Sequence, residues 1–124
     1  MSHTATVKTE LRSRQMIQRA AKAMKLECSV GDFTQTFYQG TPQKGDVLVK
    51  LPGWSYPVLI NTKTAEVHFD NFNGIWGEAA RLDDLIQEYS LLTAEDELQQ
   101  FVLEGWTITR QKQPNGDVQL IIEQ

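Results

Sequence analysis

The chain has 124 residues, with 12 Lys and Arg against 16 Asp and Glu, a formal charge of −4, one cysteine and 40% hydrophobic residues. That length supports one core hiding about two-thirds of the unfolded surface, so we read 1–124 as a single domain. Cys28 has no intrachain partner, which excludes a disulfide framework. One cysteine with two histidines also excludes a cysteine-rich zinc centre, and no run approaches the ~18 apolar residues of a membrane span.

In chain order, His3 to Lys8 alternates Ala5 and Val7 with Thr4, Thr6 and Lys8, the period of a half-buried strand. Thr9 can cap a helix running to about Lys25, in which Ile17, Ala20, Ala21 and Met24 form one apolar stripe. Up to Lys25 the chain carries six basic residues (Lys8, Arg12, Arg14, Arg19, Lys22, Lys25) and only Glu10 as an acid. The remaining 99 residues carry six basic and 15 acidic ones. Charge divided in this way can steer association with a partner.

Phe33, Gln35 and Phe37 alternate with Thr34, Thr36 and Tyr38 as an edge strand does, before Gly40, Pro42 and Gly45 interrupt. Val47, Val49 and Leu51 then share one face of a strand that stops at Pro52-Gly53, and Val58, Leu59 and Ile60 form the next. The quartet Asn61-Thr62-Lys63-Thr64 turns the chain into Ala65 to Asp70. There Ala65, Val67 and Phe69 point inward and Glu66, His68 and Asp70 point the other way.

Asn71 to Gly77 reads as a loop. Leu82, Leu85, Ile86 and Tyr89 mark a short helix, and a second is predicted from Thr93, with Asp96 completing a capping box and Leu98, Phe101 and Val102 buried. Gly105 ends it in the left-handed conformation and returns Trp106 against Phe101. Trp106 to Lys112 and Val118 to Glu123 flank an Asn-Gly turn as a hairpin. The fold class is therefore α+β: a single domain with a mainly antiparallel sheet of five to seven strands and about three helices on one face.

Met1-Ser2-His3 followed by Lys8-Thr9, the stretch Phe69-Asp70 through Trp76, Gln87-Glu88-Tyr89, and Glu104-Gly105-Trp106 through Pro114-Asn115-Gly116-Asp117-Val118-Gln119-Leu120 together resemble one family. It is the hypothetical chloroplast reading frame thirty-five family of plastids and cyanobacteria, a domain of unknown function. The resemblance spans nearly the whole chain and implies a small accessory protein of photosynthetic lineages, cytoplasmic or in the plastid stroma. It implies no established activity; separately, no cofactor is expected.

Three groups are candidate sites. Arg12, Arg14, Arg19, Lys22 and Lys25 flank the apolar stripe of the first helix and fit a protein partner with an acidic surface. The acidic residues after Gly77 make self-association a further reading. Trp54, Tyr56, Phe72 and Trp76 lie in or beside loops, where rings serve recognition or pack over the sheet end. Glu66, His68 and Asp70 stand in a row about 7 Å apart on one strand face, a metal or acid/base arrangement that any solvent-facing strand also shows. A pI near 5.1 argues against nucleic acid. Walker, dinucleotide, Gly-x-Ser-x-Gly and His-Glu-x-x-His motifs are all absent, so the expected role is a non-enzymatic binding module.

Overall fold

A computed structural model describes residues 4–8, 11–38, 40–115 and 118–124. The elements are β1 (Thr4–Lys8), α1 (Arg14–Ala23), β2 (Glu27–Gln35), β3 (Gln43–Lys50), β4 (Val58–Asn61) and β5 (Glu66–Asp70). A 3-10 turn (Phe72–Gly74), α2 (Ala79–Glu97), α3 (Gln99–Leu103), β6 (Thr107–Lys112) and β7 (Val118–Glu123) follow. The α+β class and the antiparallel pairing agree with the sequence pattern. The strands divide into a five-stranded sheet of order β1-β5-β4-β3-β2 and a two-stranded sheet of β6 and β7.

The chain forms two compact units, Met1–Tyr89 and Ser90–Gln124, with the boundary inside α2. Every buried hydrophobic residue among the described residues lies at or before Tyr89, so the core belongs to the larger unit. Val47, Ile60 and Val67 form one line across adjacent strands, and Leu48, Leu59 and His68 form another. Val67 and Leu59 are both fully buried, so the middle of the sheet is covered on both faces. This explains why β4 reads Val-Leu-Ile, a continuous apolar run with no alternation.

Helix α1 starts later than expected. Its cap is Ser13, whose hydroxyl accepts the Met16 amide at 3.2 Å, while Thr9 lies outside the described residues. Arg12 consequently precedes the helix. At the other end Leu26 N–H donates to the Ala21 carbonyl at 2.8 Å and Lys25 N–H to that of Lys22 at 3.1 Å, with Lys25 at φ 59°. This is a Schellman cap with lysine where glycine is favoured.

Other boundaries also move. The edge strand β2 begins at Glu27 and ends at Gln35, leaving Phe37 beyond it but buried. The two helices expected around Tyr89 and Thr93 are one continuous α2, because no proline or glycine interrupts Ala79–Glu97. Thr93 is therefore interior to a helix and not a cap. Leu98 is only half-buried and Phe101 and Val102 are 40% and 41% exposed, contrary to the burial expected of them. Gly105 behaves as expected: at φ 95° it ends α3, with Trp106 N–H donating to the Phe101 carbonyl at 2.9 Å and the two rings 5.9 Å apart. Strands β6 and β7 pair from Thr107 opposite Glu123 to Lys112 opposite Val118; Gly116 and Asp117 of the expected turn, like His3, lie outside the described residues.

Candidate functional site

The first residues of α1, the start of β3 and the β4–β5 turn meet at one corner of the larger unit. The turn is set by Asn61, whose Oδ1 accepts the amides of Lys63 at 3.0 Å and Thr64 at 3.3 Å. Ala65, at φ 61°, closes it. Arg12 reaches this turn and donates from Nη1 to the Lys63 carbonyl at 3.1 Å. The backbone amides of Arg12 and Ser13 both donate to the Tyr89 hydroxyl at 3.2 Å, which pins the start of α1 to α2.

Asp46 occupies the centre of the corner at 6% exposure. Its Oδ1 accepts the Thr62 amide at 2.9 Å, and its Oδ2 accepts both the Thr62 hydroxyl and the Arg14 Nε, the latter at 2.6 Å. Burial pushes this carboxyl up. The Thr62 hydroxyl and amide, with the hydrogen bond and charge of Arg14, outweigh that effect and hold it below the ordinary carboxylate value. Opposite Asp46 the edge strand carries a bulge between Val30 and Phe33, which sets Gly31 and Asp32 against a single residue of β3. Gly45 is required here: a Cβ would lie 2.7 Å from both the Ile60 carbonyl oxygen and Leu59 Cδ1.

The result is a cleft of about 240 Å³ lined by Arg14, Asp32, Lys44, Gly45, Asp46, Asn61 and Lys63. Of these, sequence reasoning singled out only Arg14. The available signal is an aspartate at the head of the apolar run Val47-Leu48-Val49 and a polar turn, Asn61 to Thr64, whose pattern by itself marks only a connection. The other basic candidates, Arg12, Arg19, Lys22 and Lys25, are exposed, and Ile17, Ala20 and Ala21 on the opposite side of α1 are buried.

The aromatic candidates are half-buried and packed on one another. Phe72 stacks on Trp76 at 4.6 Å between centroids, Trp76 meets Tyr56 and Tyr38 edge-on at 5.9 and 5.7 Å, and Tyr56 meets the buried Phe37 at 5.6 Å. Trp54 packs on Phe69 at 5.9 Å and donates from Nε1 to the Glu78 carbonyl at 3.0 Å. The candidate rings thus pack against aromatic neighbours beside the strand ends, and each keeps part of its surface exposed.

Glu66, His68 and Asp70 do not form the solvent-facing row that their alternation suggested. His68 and Asp70 are buried, at 5% and 0% exposure, while Glu66 is half-buried. The reason is that β5 is an interior strand, between β1 and β4, in a sheet covered on both sides. Asp70 Oδ1 accepts the Phe72 amide at 3.2 Å, and Oδ2 has no hydrogen-bond partner among the described residues. No group of three or more His, Cys, Asp or Glu among the described residues is placed to hold a metal ion. Burial raises the Cys28 thiol above its ordinary value, which disfavours a thiolate nucleophile. Among the described residues no helix is long and apolar enough to cross a membrane. No family model, curated protein or solved structure matches this chain.

Proposed function

We propose that this chain is a non-enzymatic accessory module that docks a protein partner with an acidic surface through the outer face of α1. The observation that carries this reading is the exposure of Arg12, Arg19, Lys22 and Lys25 on a helix and its flanks whose other side is buried, whereas Arg14, also exposed, is turned to Asp46. The helix itself, Arg14–Ala23, contains no acid. Lys25 adds support, since a lysine held at φ 59° gives up stability that glycine would restore while keeping a positive charge at the helix end. In the photosynthetic setting implied by the family resemblance, the partner belongs to the cyanobacterial cytoplasm or plastid stroma.

The test reverses Arg19→Glu and Lys22→Glu together and compares partners captured with each protein from the source organism. An interaction present for wild type, weakened by salt and lost on reversal is expected. If every captured partner survives reversal, the docking face is wrong. If RNA captures wild type in a salt-dependent way that reversal abolishes, the face serves nucleic acid instead.

A further inference from the structure

We propose that the cleft between α1, β3 and the β4–β5 turn binds a phosphate monoester. Three cations, Arg14, Lys44 and Lys63, line a space of about 240 Å³ against two carboxylates, Asp32 and Asp46. Asp46 is already committed to Thr62 and Arg14. The Lys44 and Lys63 ammonium groups have no ion-pair partner among the described residues, so the cleft is lined with a surplus of positive charge.

Arg14 brings directional recognition to this surplus. Asp46 accepts from the guanidinium Nε, which restrains the group beside the cleft and leaves the Nη1 and Nη2 edge to a ligand. A guanidinium fork matches two oxygens of a phosphate, and the lysines act as point charges on the third. Asp46 is itself held by the amide and hydroxyl of Thr62, so the acceptor that restrains Arg14 is in place before any ligand arrives. With three cations against two carboxylates the cleft has a net positive charge, and its attraction for an anion grows with the anion's charge, so a dianion is favoured over a monoanion. The volume falls below the ~300–1,000 Å³ of sites for drug-sized ligands, which suits the phosphate group itself with the rest of the molecule left outside the cleft.

The test titrates the isotope-labelled full chain with inorganic phosphate at constant ionic strength and follows backbone amide resonances. Saturable shifts at Gly45, Asp46 and Lys63 are expected at millimolar ligand. Lys44→Gln and Lys63→Gln should each weaken binding about tenfold, a loss of about 1.4 kcal/mol per cation, with unchanged circular dichroism. Arg14→Gln should weaken binding by at least as much as either lysine change, and undiminished binding there would overturn the role of the guanidinium. Arg19→Glu with Lys22→Glu should leave the shifts intact, which separates this site from the docking face. Glycerol 3-phosphate and a phosphoserine peptide are the two further arms. Binding of either supports the site, and the tighter one names the source of the phosphate. Non-saturating shifts, shifts reproduced by sodium chloride, shifts retained in the Lys44 and Lys63 double variant, or phosphate binding that neither ester shares would each overturn the proposal.

Discussion

Removing the Asp46 carboxylate should be the most damaging single change at the corner that joins α1 to the sheet. Its donors are the Thr62 amide at 2.9 Å, the Thr62 hydroxyl, and Arg14 Nε at 2.6 Å, with Asp46 at 6% and Thr62 at 9% exposure. Hydrogen bonds to a charged group contribute about 1.5–3 kcal/mol each when buried, and they do not add fully. The Arg14 side chain is half exposed, so its ion pair is worth only about 0–1 kcal/mol after solvent screening. Asp46→Ala leaves both Thr62 donors unsatisfied and should cost about 3–4 kcal/mol. Asp46→Asn keeps one acceptor for the Thr62 amide and should cost about 1–2 kcal/mol, and Arg14→Gln less than about 1 kcal/mol.

Urea denaturation followed by tryptophan fluorescence measures all three, and about 3 kcal/mol corresponds to a fall in Tm of about 10–15 °C for a chain of this size. The pH dependence supplies an independent check. A carboxyl held lower in the folded chain contributes its stability fully above the unfolded value of about 3.9, and loses it as pH falls through the lower folded value. The gap between wild type and Asp46→Asn should therefore stay constant between about pH 5 and 7 and narrow below about pH 4. An Asp46→Ala protein within about 0.5 kcal/mol of wild type, or an Arg14→Gln protein as unstable as Asp46→Ala, would refute the argument that Thr62 carries most of the interaction.

Three further changes test other parts of the fold. Gly77→Ala places a Cβ 2.5 Å from the Trp54 ring, so it should cost about 1–3 kcal/mol by overpacking and alter the near-ultraviolet circular dichroism of the aromatic cluster. Gly45→Ala meets the Ile60 carbonyl at 2.7 Å, where backbone must move, and should lower the urea midpoint by an equivalent of about 2 kcal/mol or more. The two Schellman caps predict opposite signs: Lys25→Gly should raise stability by about 0.5–1 kcal/mol and Gly105→Ala should lower it by a similar amount, both read as shifts in Tm.

Much of the fold follows from local pattern because short-range chemistry dictates it. The β3, β4 and β5 strands were legible from Val47-Leu48-Val49, Val58-Leu59-Ile60 and the alternation after Ala65, and the end of α3 from Gly105. The start of α1 was harder to place, since Thr9 and Ser13 are both good caps and only the route of the chain chooses between them. The merging of two helices into α2 has the same origin: Thr93 with Asp96 satisfies a capping pattern, yet nothing between Tyr89 and Thr93 stops a helix already under way.

The candidate site was far less legible. The basic residues of α1 could be read as exposed because the apolar stripe fixes the helix face. His68 and Asp70, however, follow a solvent-facing alternation and are buried, because alternation cannot tell whether a second layer covers the polar side. Asp46, Lys44 and Lys63 gained their meaning from β3 and the β4–β5 turn being brought against Arg14, which is 32 residues before Asp46 in sequence. The sequence by itself determined the class, the hairpins, the helix caps at glycine and the division of charge, all of which depend on neighbours a few residues away. Only the tertiary structure decided which polar residues are buried and which cations surround one cleft, because both depend on surfaces that distant segments present to each other.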